Sequence, residues 1–313
     1  MEISTRTIET TRLNHYCRIA GNPEDLPVLL LHGSFASSRW WEPFMSLMPD
    51  GFYMVAPDLR GCGKTGESVH GARTEAAAAD DYAIAAQAAD VAALVDSLGW
   101  DEFELVGHSS GGAIAVEYAL TQFQGVRTLT LIDSAPIEGV FTPMEMLMVL
   151  DQMRTDRALL RHGLAALMPT YPTGVDAQSS DAPPFDAIDS DSTEASAMSA
   201  SPRFFEQLVD DAAQMAPTAF IAVAEALNQW NRFADAGALT LPTLLVWGEL
   251  DTVVDRDSMT RSLIAIPGAG NLEVLRNVGH SPMLEAPVTL AERFIEFVTD
   301  DLDDYAQVRR DAY

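Results

Sequence analysis

The chain has 313 residues, 48% of them hydrophobic, and its 46 acidic side chains outnumber 19 basic ones to give a formal net charge of −27. That length suits one large domain or two moderate ones, with an apolar fraction normal for a globular protein with a full core. So acidic a surface repels nucleic acid and anionic lipid, which excludes both as expected partners and disfavours strongly anionic substrates. No segment reaches the ~18 uninterrupted apolar residues of a membrane span. The opening stretch from Met1 to Glu9 has no apolar signal core. Cys17 and Cys62 lack Cys-x-x-Cys spacing, so the expectation is a reduced, cytoplasmic protein. Lys64 is the single lysine, and the acidic excess fits either a high-salt habitat or a solubility device in an arginine-favouring genome.

In chain order, Thr5 to Thr10 and Asn14 to Ile19 read as short antiparallel strands. From Pro27 onward strands alternate with helices, which predicts a mostly parallel sheet covered on both faces. Pro27 to Leu31 is a buried-strand run ending in His32-Gly33-Ser34. Tyr82 to Leu98 predicts a helix, with Ile84, Ala88, Val91, Val95 and Leu98 on one stripe, Asp80 or Asp81 as its cap and Gly99 as its stop. It leads into an apolar run that ends at Val106. Next comes Gly107-His108-Ser109-Ser110-Gly111, followed by a helical stretch from Gly112 to Phe123. Glycines on both sides let this G-x-S-x-G turn sharply, which makes it a candidate nucleophile elbow that lifts one serine over the sheet edge. The dipole of the following helix points its positive end at that serine.

Arg127 to Ile132 reads as the sixth strand, after which the alternation stops for about a hundred residues. Phe141 to Met153, Ala158 to Met168 and Arg203 to Trp230 are helical in character, whereas 176–201 is acidic and poor in large apolar residues. Alternation resumes at Thr243 to Trp247, followed by Gly248-Glu249-Leu250-Asp251. Leu272 to Val278 then precedes Gly279-His280, and a last helix is predicted from Val288 to Leu302.

Serine, aspartate and histidine in this order, each after a predicted strand, resemble the α/β-hydrolase fold superfamily in its capped branch. The turn Asp58-Leu59-Arg60-Gly61-Cys62-Gly63 adds to the likeness, which extends over nearly the whole chain. The resemblance implies a mostly parallel eight-stranded sheet flanked by helices, with a helical cap inserted after the sixth strand. Core residues would then be 1–135 and 241–313, and the cap 136–240 with a mobile acidic loop at 176–201. It also implies an oxyanion hole from the amides of Ser34 and Ser110, and no cofactor. Many relatives carry a hydrophobic residue where this chain has Ser110, but only the backbone amide is needed there.

Ester cleavage needs an activated nucleophile, a base and donors for the oxyanion. Ser109 is the expected nucleophile, His280 the base and Asp251 the group that orients it. Asp133, after the sixth strand, and Asp255 are the other candidate acids. Ser110 is the neighbouring hydroxyl, His108 is expected to pack beside the turn and His32 to brace the oxyanion loop. His15, His70 and His162 read as surface or packing residues, and Glu285 as a support for the histidine loop or a solvated helix-start charge. No clustered His/Cys ligand set points to a metal. Trp40, Trp41, Phe141, Met144 and Trp230 are candidate pocket residues, with packing as the alternative for each. A serine nucleophile argues against the aspartate-using epoxide hydrolases and dehalogenases of this superfamily. What remains is hydrolysis of an ester or lactone of a small to medium, largely apolar substrate. A carbon–carbon hydrolase of the diketone-cleaving type and a non-catalytic binding protein are the alternatives.

Overall fold

Apolar runs form the strands, and their side chains alternate between two hydrophobic clusters, one on each face of a sheet. The structure is a computed structural model that describes residues 1–67, 80–122, 125–174 and 201–299. The loop expected at 176–201 (except Ser201), His70, Phe123 and the end of the last expected helix lie outside the described residues. Eight strands are present: β1 (Ile3–Glu9), β2 (Asn14–Ala20), β3 (Leu26–Leu31), β4 (Phe52–Pro57), β5 (Phe103–His108), β6 (Val126–Ile132), β7 (Thr243–Gly248) and β8 (Ala269–Leu275). They form one sheet in the order β1-β2-β4-β3-β5-β6-β7-β8. β2 pairs antiparallel with β1 and β4, and the remaining pairings are parallel. Val28 and Leu30 of β3 face one cluster and Leu29 and Leu31 the other; Val246 of β7 likewise opposes Leu245 and Trp247.

The helices are α1 (Glu42–Leu47), α2 (Ile84–Leu98), α3 (Ser110–Thr121), α4 (Met144–Met153), α5 (Arg157–Ala166), α6 (Pro202–Ala213), α7 (Ala219–Gln229), α8 (Arg256–Ala265), α9 (Pro282–Glu285) and α10 (Pro287–Thr299). α2, α3 and α8 pack on one face of the sheet, α1 and α10 on the other. α4 to α7 all fall between β6 and β7. The two ends of that insert meet: the Arg232 amide donates to the Ile137 carbonyl at 2.8 Å, and the Val140 amide to that of Leu227 at 3.3 Å.

Several boundaries shift by one to three residues from expectation, and two of them bear on local structure. α2 begins at Ile84 with Ala83 at its N-cap position, so no side chain caps it, and Asp81 sits 3.8 Å from the Arg60 guanidinium. Gly99 does end it, at φ 69, with its amide on the carbonyls of Val95 and Asp96. β8 lies about three residues earlier than its apolar pattern predicts. Asn277 has φ 57 and the Val278 carbonyl accepts the Leu250 amide at 2.8 Å, so that stretch turns back toward β7 rather than extending the strand.

Candidate active site

β5 ends at His108 and α3 begins at Ser110, leaving Ser109 at the turn with φ 53 and ψ −123. A non-glycine residue in that region costs on the order of 1–3 kcal/mol and persists only where its surroundings enforce it. Here the Ser109 amide donates to the Ile132 carbonyl at 3.1 Å, and its own carbonyl accepts the Gly112 and Ala135 amides at 2.9 Å each. The bend requires glycine at 111, since a Cβ there would stand 2.4 Å from the His32 carbonyl oxygen.

The loop after β3 lies directly against this turn. A Cβ on Gly33 would approach the Ser109 Cβ to 2.7 Å and His108 Nδ1 to 2.9 Å. His32 braces the loop, as expected: its Nε2 accepts the Leu59 amide at 2.9 Å, which leaves Nδ1 to donate to the Gly33 carbonyl at 2.8 Å. Burial lowers its pKa and keeps the ring neutral, as that donor-acceptor pattern requires. The Ser34 hydroxyl donates to that of Ser110 at 3.1 Å, joining the two residues expected to form the oxyanion hole. Neither of their amides has a hydrogen-bond partner among the described residues, so two N–H donors remain beside the Ser109 turn.

On the other side, the loops after β7 and β8 bring Asp251 and His280 together. His280 Nδ1 is 2.8 Å from Asp251 Oδ2, and both side chains are almost fully buried. Asp251 Oδ1 also accepts the amides of Val253 and Val254, at 2.7 and 3.1 Å. Burial pushes the Asp251 carboxyl up, but the hydrogen bond and charge of His280, with those two amides, outweigh it and hold the carboxyl below its ordinary value. His108, the residue before Ser109, contacts this pair. Its Nε2 donates to the His280 carbonyl at 2.7 Å, and the two rings are 4.9 Å apart. Burial, and then the neighbouring His280, push His108 down to about 3, so it packs as a neutral ring. Among the hydrogen bonds of the described residues, none joins the Ser109 hydroxyl to His280.

Glu285 supports the histidine loop from beneath. One carboxylate oxygen accepts the amides of Gly279 and Ser281, at 3.0 and 3.2 Å, flanking His280 on both sides. The other accepts the amide and hydroxyl of Thr170, from the insert, at 3.0 and 2.8 Å. The alternative acids separate cleanly. Asp255 caps α8 by accepting the Ser258 amide at 2.7 Å, while Asp133 lies behind Asp251 and accepts the Gly248 amide at 2.8 Å. Single atoms of Asp133, Asp251 and His280 lie within 4.8 Å of one another, close enough for a cation, but the imidazole nitrogen is already bonded to the Asp251 carboxylate.

The candidate pocket residues differ widely in burial. Trp40 and Trp41 are core residues, 1% and 0% exposed, and Trp40 stacks on His108 with 6.1 Å between ring centroids. Trp230 is buried and donates its indole N–H to Glu117 at 2.9 Å. Phe141 and Met144 are 85% and 68% exposed. A residue's nearness in sequence to the oxyanion loop or the insert did not settle which way its side chain faces. His15 is buried and His162 exposed, and neither joins the site. Glu117 and Thr170 were not singled out from the sequence. Their roles arise from partners more than a hundred residues away, and nothing local marks them.

The family described as alpha/beta hydrolase fold matches residues 27–287. The chain is 25% identical over 301 residues to monoacylglycerol lipase abhd6-B of Xenopus laevis, covering 91% of this chain and 79% of that protein. It is also 25% identical over 285 residues to Lipase 1 of Psychrobacter immobilis, covering 88% of this chain and 78% of that one. Among solved structures, the esterase EaEST from Exiguobacterium antarcticum superposes with a TM-score of 0.72 at 18% identity, over 93% of this chain and 100% of that one. That last likeness is one of fold alone. With its sheet order, its strained Ser109 turn and the profile match across most of its length, this chain belongs to the alpha/beta hydrolase family.

Proposed function

We propose that the chain is a serine hydrolase that cleaves a carboxylic ester or lactone through an acyl-enzyme on Ser109. The observation that carries this reading is the strained Ser109 turn, linked through the adjoining His108 to a His280 imidazole that is bonded to the buried Asp251 carboxylate. Ser109 attacks the carbonyl carbon while His280 Nε2 takes its proton. The tetrahedral oxyanion is received by the amides of Ser34 and Ser110. Collapse expels the alkoxide, which takes the proton back from His280. Water then attacks the acyl-enzyme by the same steps in reverse roles. Asp251 keeps the imidazole in the Nδ1–H tautomer and stabilises the imidazolium without accepting its proton.

Residues 136–240 act in this reading as a cap, whose contact with the histidine loop through Thr170 and Glu285 supports a place over the site. The relative named for monoacylglycerol cleavage favours an uncharged, largely apolar ester of small to medium size. The acidic surface fits the same preference.

Ser109→Ala tests the assignment directly. Turnover of p-nitrophenyl esters should fall on the order of 10⁴-fold or more, with loss of fluorophosphonate labelling. Retained hydrolysis in that variant removes the reading. A panel of p-nitrophenyl esters, lactones and vinylogous diketones separates ester and lactone cleavage from carbon–carbon cleavage.

A further inference from the structure

Asp133 follows β6 with its backbone at φ 41, a left-handed geometry that Asp and Asn tolerate better than most side chains. It is fully buried, with 0% exposure. Its Oδ1 accepts the Gly248 amide, but its Oδ2 is sealed from solvent and meets no donor among the described residues. Asp251 is the next carboxylate, close enough that single atoms of Asp133, Asp251 and His280 fall within 4.8 Å. As an anion, Asp133 would carry an unsatisfied buried oxygen beside a like charge, and both conditions are costly. A proton on one carboxyl removes the repulsion and turns the orphan oxygen into a donor. Asp251 is the poorer holder of that proton, because two amides and the imidazole N–H already point at its oxygens.

We infer that Asp133 is a positioning residue: it remains a protonated acid and donates a hydrogen bond to Asp251, aiming that carboxylate at His280. The inference rests on the triad proposed above. A further donor fixes the plane of the Asp251 carboxylate and lowers its basicity, so the imidazole keeps its Nδ1 proton through the catalytic cycle. Among the described residues, the ionisable groups that face Asp133 are Asp251 from the β7 loop, His280 from the β8 loop and, at longer range, Glu285 from α9. None is a permanent cation that would neutralise an anion at 133. Burial, followed by the charge of Asp251, holds the Asp133 carboxyl well above the ordinary range, in keeping with this arrangement.

Asp133→Asn supplies an amide N–H where the acid has its O–H and keeps an acceptor for Gly248. Asp133→Gly removes both while tolerating the positive φ. With p-nitrophenyl butyrate, kcat of the glycine variant should fall about ten-fold with KM changed less than about two-fold, and asparagine should recover most of that loss. Wild-type rate should decline on an alkaline limb as Asp133 ionises, and the asparagine variant should lack that limb. The infrared difference between wild type and Asp133→Asn at neutral pH should contain the carbonyl band of a protonated carboxylic acid, a readout that needs no activity and survives failure of the glycine variant to fold. Absence of that band, or identical alkaline limbs in wild type and the asparagine variant, overturns the assignment. If Ser109→Ala stays active, the triad itself falls. If Ser109→Ala is inactive and the band is missing, the role of Asp133 alone falls.

Discussion

Around Ser109 the geometry is set by the main chain, whereas around His280 it is set by carboxylates. The Ser109 turn is held by three backbone hydrogen bonds and by glycines at 33 and 111, where no Cβ fits. The imidazole is held by Asp251 on one ring nitrogen and by Glu285 on the amides before and after it. A half-site built from backbone responds to added bulk and is indifferent to pH. One built from buried acids responds to charge, and its parts can be adjusted singly.

Substitutions on the two sides should therefore fail in different ways. The largest effect after that of Ser109→Ala is expected from Asp251→Asn, which keeps the volume but can stabilise the wrong imidazole tautomer. The kcat for p-nitrophenyl butyrate should fall on the order of 10³-fold with thermal stability little changed. On the backbone side, Gly33→Ala pushes a methyl into Ser109 and His108. A loss of about 10²-fold in kcat/KM is expected, and this time with a lowered melting temperature, because the loop must shift. Equal stability in the two variants would break the distinction. Glu285→Ala, which frees the histidine loop and Thr170 together, should cost about ten-fold in kcat, measured with the same ester.

A further effect, read on stability rather than on rate, is expected in acid. His108 is pushed down to about 3 in the folded chain, while an unfolded histidine titrates near 6.5. Between those two values the unfolded state binds a proton that the folded state does not. Stability is therefore lost as pH falls through this window, at up to about 1.4 kcal/mol per pH unit from this one ring. Urea unfolding from pH 7 to pH 4 should show a shallower slope in His108→Gln. An unchanged slope would mean that the folded chain does not hold this ring neutral.

Much of this was legible from residue order. Strand ends were marked by apolar runs that stop at Leu31, Val106, Ile132 and Trp247, because strands buried on both faces read as continuous hydrophobic stretches. Ser109, Asp251 and His280 follow such ends, so topology alone carries them to one edge of the sheet. What stayed hidden depends on lateral contacts. Trp40 and Trp41 are as apolar as pocket residues would be, and only the packing of the 3-10 turn at Ser38–Trp41 on His108 turns them inward. β8 was displaced because Leu272 to Val278 matches a strand in composition while Asn277 takes a turn conformation. Asp133 had been an alternative to Asp251, yet the two carboxylates occupy one site, a relation that sequence separation cannot express.

Glu117, midway along the helix that begins beside Ser109, accepts two guanidinium hydrogen bonds from Arg232, at 2.7 Å each, and the indole N–H of Trp230. A Cβ on Gly139 would lie 2.0 Å from the Trp230 carbonyl oxygen, so departing and returning chains leave no room between them there. The insert thus grows from a fused stem whose footing is α3. For recombining this protein with its relatives, that stem defines the cut points. A donor segment spliced in beyond 141 and before 226 inherits an intact root, whereas junctions placed at 135 and 240 would sever the anchorage of the helix that presents Ser109.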